Sequence, residues 1–161
     1  MTNPEFIYTI YIRTTPEKLW TAITKPEFTR QFWGGYENVS DWQKGSKWQH
    51  LADDEERTVM LVGEVVESIP PKRLVLTWTN PADITDSSCV TFEIEPIEDM
   101  VRLNVIHGDF KAGSIMAGKV SQGWPRVLSS MKSFLETGKA LNVWAGHEER
   151  CGKPVAKRDG A

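Results

Sequence analysis

Cysteine is scarce in this sequence, with two residues, Cys89 and Cys151, among 161. Neither belongs to a close cysteine pair, so the sequence indicates no zinc site and no disulfide framework. The segment Met1–Glu5 lacks a basic region followed by an apolar stretch, so no signal peptide is recognised. We therefore expect a protein of the reducing cytoplasm.

An excess of basic residues is also missing. The chain has 19 Lys and Arg against 22 Asp and Glu, which gives a net charge of −3. Proteins that bind nucleic acids need a basic surface to neutralise phosphates, so we expect no nucleic acid partner. No apolar run approaches the roughly 20 residues that span a bilayer, so we expect no membrane partner.

Recognisable catalytic motifs are absent as well. The sequence has no GxSxG, HExxH or GxxxxGK[ST] pattern and no carboxylates paired for work on sugars. Two of its three histidines, His50 and His107, fall in predicted strands, but zinc usually needs three or four protein ligands. The sequence therefore predicts neither a metal nor a cofactor, and it favours a protein that is not an enzyme.

The length fits one domain, since single domains cluster near about 100–150 residues. We predict that this domain covers residues 1–146. Residues 147–161 are polar and charged, which predicts a flexible tail.

Tryptophan is the abundant residue: seven occur in this small chain. A buried indole is large and its N–H needs a hydrogen-bond partner. Two interpretations remain open, namely a heavily aromatic core and an aromatic-lined cavity.

Alternating apolar residues predict a series of strands. A strand over Phe6–Ile12 is followed by a helix that Thr15 caps, with Pro16 in its first turn, and by a short helix over 27–31. A polar loop is predicted over 80–87, and a bulge or bend at Gly63. The later strands are predicted over 47–51, 58–67, 73–79, 90–95 and 101–107.

A long C-terminal helix completes the pattern. Its apolar stripe recurs every three or four residues from Val120 to Leu135, and Gly138 is a natural C-cap. Proline lacks an N–H and clashes with the preceding helical turn, so Pro125 predicts a kink or restart near Gly123. The strongest helix is therefore expected over 125–137.

These elements predict an α+β fold. Short connections force a mainly antiparallel sheet, and one sheet face must be covered by the long helix. We expect a curved sheet that wraps around the C-terminal helix, with two short helices after the first strand. The space between sheet and helix is the candidate site.

The order of elements resembles the helix-grip fold of the START and birch-pollen-allergen superfamily, also called SRPBCC. Within it, the chain resembles the branch related to the C-terminal domain of the activator of heat-shock protein 90 ATPase. The resemblance rests on TTPEKLWTAITKPEFTRQFW (14–33), GEVVESIPPKRLVLTW (63–78) and GWPRVLSSMKSFLETG (123–138). The superfamily includes hydrophobic-ligand carriers, polyketide cyclases, hormone receptors and a co-chaperone domain, so the fold alone does not select a function.

Aromatic residues from several elements are predicted to face the interior and to form the walls of a cavity, with two histidines as polar points. The predicted ligand-binding residues are Phe32, Trp33, Trp48, His50, Trp78, His107, Phe110 and Trp124.

The leading hypothesis is non-enzymatic binding of a small hydrophobic or amphipathic molecule. One alternative, which the resemblance implies, is a stress-related protein that binds a chaperone. Another is a cyclase or hydrolase that uses His107 as its base, because an imidazole titrates near neutral pH. The sequence predicts neither the ligand nor the oligomeric state.

Overall fold

The computed structural model describes residues 5–142, and the predicted tail of 147–161 lies outside these residues. Within residues 5–142, seven strands and three helices follow one another. Their order is β1 (Phe6–Ile12), α1 (Pro16–Thr24), α2 (Pro26–Phe32), β2 (Glu37–Ser40), β3 (Lys47–Leu51), β4 (Val59–Ile69), β5 (Arg73–Asn80), β6 (Asp83–Ile97), β7 (Met100–Gly108) and α3 (Ile115–Thr137).

The strands form one curved antiparallel sheet in the order β1-β7-β6-β5-β4-β3-β2. Five of the six neighbouring pairs are consecutive in sequence, and only β1 pairs with a distant strand, β7. The predicted α+β helix-grip architecture is confirmed, because α3 and the two short helices pack with the buried face of this sheet.

Capping positions the helices as the sequence predicts. The Thr15 hydroxyl accepts a hydrogen bond from the Lys18 backbone N–H at 3.2 Å, and Pro16 opens α1. At the far end of the chain, Gly138 has φ of 82° and its N–H donates to the Phe134 carbonyl at 2.8 Å, which ends α3.

The prediction that alternate strand residues face the core is confirmed in β7. Val101, Leu103, Val105 and His107 of β7 are all fully buried, while the residues between them are more exposed. The apolar stripe of α3 packs against this face, with Val120, Trp124, Val127, Leu128 and Met131 buried.

The helix begins earlier than predicted, and the restart that was one of the two predicted effects of Pro125 is absent. It runs without a break through Pro125 and already begins at Ile115, where the Ser114 hydroxyl accepts from the Met116 N–H at 3.1 Å. Within a helix, proline removes one backbone hydrogen bond and its ring crowds the carbonyl of the preceding turn. Burial of the stripe on both sides of Pro125 offsets that loss, so no restart occurs near Gly123.

Two strand boundaries also differ. The short strand β2 was not predicted, and the predicted polar loop over 80–87 is mostly β6, which begins at Asp83. Local hydrogen bonds compensate for the polar composition, because the Asp83 carboxylate accepts from the Thr85 hydroxyl at 2.6 Å and from Lys111 Nζ at 3.0 Å.

The predicted irregularity at Gly63 lies a little further along β4, where the register shifts between Val65 and Glu67. Gly63 instead allows a close approach. A Cβ atom there would lie 2.0 Å from the Thr77 carbonyl oxygen and 2.2 Å from Trp48 Nε1. The indole of Trp48 therefore crosses the backbone of Gly63 to donate its N–H to Thr77 at 2.7 Å.

Candidate ligand-binding cavity

Two cavities lie between the sheet and α3. The inner cavity is about 20 Å³, which is room for one water molecule. The outer cavity is about 230 Å³ and opens to solvent. The space predicted from the sequence is therefore filled by side chains at its inner end and open at its mouth.

A chain of indole rings separates the two cavities. Trp78 of β5 and Trp124 of α3 border both, with ring centroids 5.4 Å apart. Trp33, which follows α2, meets Trp124 edge-on at 5.6 Å, and Trp48 lies 5.1 Å from Trp78 on the inner side. Tilted and edge-to-face contacts of this kind are the favoured geometry of aromatic pairs.

The Trp78 indole nitrogen is buried and has no hydrogen-bond partner among the described residues. Its neighbours differ in this respect, because Trp48 donates to Thr77 and Trp124 donates to Nδ1 of His107 at 3.1 Å. An unpaired buried donor costs about 1–3 kcal/mol. Trp78 thus has an unused buried donor on a side chain that borders both cavities, and Trp42 has a second one on a side chain that lines the inner cavity.

His50 of β3 lies in the wall of the outer cavity. Its Nδ1 lies 2.5 Å from the side-chain oxygen of Asn38, so Nδ1 carries the hydrogen and donates it. Tyr36 stacks on the imidazole at 5.0 Å, and Trp33 lies 5.0 Å away on a tilted plane. Burial lowers the pKa of His50 to about 3, so the ring is neutral and Nε2 keeps its lone pair.

His107 has both ring nitrogens engaged. Because Nδ1 accepts from the Trp124 indole, Nε2 carries the hydrogen and donates it to the Ser88 hydroxyl at 2.7 Å. Ser88 in turn donates to the Trp78 carbonyl at 3.2 Å. Burial lowers the pKa of His107 to about 3. These contacts fix one neutral tautomer and leave no lone pair for proton abstraction.

The structure divides the eight predicted site residues into three groups. Trp33, His50, Trp78 and Trp124 line the outer cavity. Phe32 and Trp48 line the inner cavity, where Trp33, Trp78 and Trp124 also take part.

His107 and Phe110 line neither cavity. They stack on each other with centroids 4.9 Å apart, behind the ring of Trp124. His107 faces the interior from β7, as predicted, whereas Phe110 follows the end of that strand. Trp124, which donates to His107, lines the outer cavity in its place.

Several residues of the outer wall were missed by the sequence analysis: Tyr36, Met60, Leu61, Met116, Lys119 and Val120. Val120 belongs to the predicted helical stripe and Leu61 to a predicted strand, so periodicity could have found both. Lys119 carries no such signal, since its place at the mouth follows from the depth at which α3 sits on the sheet.

Residues 5–142 contain no cluster of three or more His, Cys, Asp or Glu side chains that could hold a metal ion. Within the same range, no helix is both long and apolar enough to cross a membrane.

The fold and cavity define a helix-grip domain of the START-like class. The chain belongs to the family described as Activator of Hsp90 ATPase homolog 1-like protein, whose model matches residues 13–136. This confirms the resemblance drawn from the sequence. No curated protein gives a significant match.

Solved structures share the fold. A crystal structure from Mesorhizobium loti is 26% identical, with a TM-score of 0.68, and the match covers 82% of this chain and 96% of that one. The Aha1 dimer from Colwellia psychrerythraea is 18% identical, with a TM-score of 0.70 and coverage of 85% and 99%. An HSP90 activator from Plasmodium falciparum is 23% identical, with a TM-score of 0.59 and coverage of 93% and 97%. The last two similarities concern the fold alone.

Proposed function

We propose that this protein binds a small hydrophobic or amphipathic molecule in the outer cavity and does so without catalysing a reaction. The observation that carries the proposal is the open, largely apolar space of about 230 Å³, which Trp78 borders with a ring whose buried N–H has no partner among the described residues. Binding sites for small molecules are concave and mostly apolar, with a few polar groups that orient the ligand.

Burial of apolar ligand surface would drive association. Each ~40 Å² of such surface removed from water contributes about 1 kcal/mol before the costs of association. The cavity is smaller than the roughly 300–1,000 Å³ of many ligand pockets, which favours a molecule of one or two rings. Trp33 and Trp124 supply flat walls for such rings.

The test is a titration with 2-acetylnaphthalene, a neutral two-ring probe, followed by calorimetry and by tryptophan fluorescence. The wild-type protein should bind with saturable heat and a shift in emission. Val120 is buried against the outer cavity only, so Val120→Phe fills that space and should weaken binding by at least about tenfold.

Val66→Phe is the matched control, because Val66 is 45% exposed and lies outside the cavity lining. It should bind the probe like the wild type. Equal binding by the wild type and both variants would show that the probe sits elsewhere. No saturable binding by the folded wild type would overturn the proposal.

A chaperone-binding role is the second candidate, and the family description is the observation that favours it. Such a role would use an outer surface of the domain in place of the cavity. An ATPase assay with heat-shock protein 90 from the same cell distinguishes the two. Stimulation that survives Val120→Phe supports the chaperone role, whereas an unchanged ATPase rate removes it.

An enzymatic role for His107 finds no support in its contacts. Both ring nitrogens are hydrogen-bonded inside the core, and the ring is fully buried. A general base needs a free lone pair within reach of substrate.

A further inference from the structure

The outer cavity has a distinct charge at its mouth. Lys119 lies on the exposed side of α3 and also belongs to the cavity lining. Among residues 5–142, no carboxylate lies within ion-pair distance of its ammonium group. The described lining contains no acidic residue, and His50 is neutral. The mouth therefore carries one uncompensated positive charge.

The inner end of the same cavity has a different polarity. Trp78 is 5% exposed and borders both cavities, so it lies at the inner end of the outer one. Its N–H donor has no partner among the described residues. A ligand atom that accepts a hydrogen bond would remove the cost of leaving this donor unpaired.

Between these two points the wall is mostly apolar, and its polar side chains besides Lys119 and Trp78 are the neutral His50 and Tyr36. Met60, Leu61, Met116 and Val120 lie along it with the aromatic rings of Trp33 and Trp124. A charge buried in such surroundings would be strongly unfavourable, so an anionic group belongs at the mouth and the apolar part of the ligand belongs inside.

We propose, on the basis of the function proposed above, that the ligand is a small organic anion: its carboxylate lies at the mouth beside Lys119, its apolar ring body fills the cavity, and a neutral acceptor oxygen at its buried end receives the N–H of Trp78. The cavity thus recognises both ends of the ligand, each through a different polar group. The rim charge selects acids over neutral molecules, and the buried indole selects molecules with an oxygen at the far end.

Three related probes separate these two contributions. The full probe is 6-acetyl-2-naphthoate, with a carboxylate at one end and a ketone at the other. Its methyl ester keeps the ketone and loses the charge. The analogue 6-isopropyl-2-naphthoate keeps the charge and shape but has no acceptor at the far end. Each is titrated by calorimetry into wild-type protein and into the folded variants Lys119→Gln and Trp78→Phe.

The wild type should bind the full probe about threefold more tightly than its ester, the range of an exposed ion pair. It should also bind the full probe about tenfold more tightly than the isopropyl analogue, the range of a hydrogen bond to a buried donor. Lys119→Gln should abolish only the preference for the acid over its methyl ester. Trp78→Phe should abolish only the preference for the ketone over the isopropyl analogue.

The inference is overturned if the acid and ester bind the wild type equally, or if the isopropyl analogue binds as tightly as the ketone. Both comparisons use the wild type, so they hold even where a variant fails to fold. The two levels of failure are also distinguishable. Equal binding of all three probes rejects the ligand class and leaves the cavity as a binding site, whereas no binding of any probe rejects the proposed function as well.

Discussion

The indole N–H of Trp124 donates to Nδ1 of His107 across 3.1 Å, from the long helix α3 to strand β7. This bond links the helix stripe to the sheet at the point where both approach the cavity. It also sets the tautomer of His107, so that Nε2 donates to Ser88. The ring that borders the cavity is thus held in place by a histidine that does not border it.

Replacing His107 tests this link. His107→Leu removes the acceptor and leaves the buried Trp124 donor unpaired, which should lower the free energy of unfolding by about 1–3 kcal/mol. His107→Gln retains one acceptor and one donor and should recover much of that loss. Urea denaturation measures both values. If the Leu variant had the same free energy of unfolding as the wild type, or if the Gln variant were no more stable than the Leu variant, the bond would contribute nothing to stability.

Acid should destabilise the protein through its two buried histidines. Burial lowers the pKa of His50 and of His107 to about 3, whereas an exposed histidine has a pKa of about 6.5. Between these values the unfolded chain binds protons that the folded state does not. The free energy of unfolding should therefore fall as the pH drops from about 6.5 towards 3, by up to about 1.4 kcal/mol per pH unit for each histidine.

Urea midpoints between pH 7.5 and 5 measure this slope. His107→Gln removes one of the two groups and should reduce the slope in this range by about half. Asp54 and Asp83 also have lowered pKa values, because hydrogen bonds from Thr58 and Thr85 stabilise their charged forms, but they titrate below this range. A stability that stays constant down to pH 5 would show that the histidines are protonated in the folded state.

Gly63→Ala tests the close approach beneath Trp48, and Gly118→Ala is its control at an open position. Gly63→Ala places a methyl group 2.2 Å from Trp48 Nε1 and 2.0 Å from a backbone oxygen, so it should destabilise by about 3 kcal/mol or more. Gly118 lies in α3 with nothing within 4 Å of an added Cβ, and Gly118→Ala should stabilise by about 1 kcal/mol. Thermal unfolding of both variants checks the signs. An unchanged melting temperature for Gly63→Ala would contradict the contact.

The sequence predicted the fold well where local and tertiary preferences agree. The alternation in β7 and the stripe in α3 identify buried faces directly, because each is apolar on one side only. It failed where tertiary contacts override composition: β6 extends through the polar residues after Asp83, and α3 continues through Pro125. A single sequence cannot weigh local propensity against hydrogen bonds made to a distant strand.

For the site, the sequence predicted which side chains face inward but not where free space remains. Trp48 and Trp78 share the inward direction, yet one donates its N–H to Thr77 and the other has no partner among the described residues. Whether a ring fills a cavity or lines it depends on displacements of an ångström or two between helix and sheet, which periodicity does not encode. The position of Lys119 at the mouth was missed for the same reason.

The most direct test of a ligand cavity between sheet and helix is a ¹⁵N–¹H spectrum of the tryptophan indole groups during titration with 6-acetyl-2-naphthoate, with signals assigned from single Trp→Phe variants. We expect a large, saturable shift of the Trp78 signal, because its unpaired N–H gains an acceptor. The signal of Trp48, which already donates to Thr77, should stay nearly unchanged. If the Trp78 signal did not move at saturating probe, the ligand would not reach this ring and the proposed binding mode would be wrong.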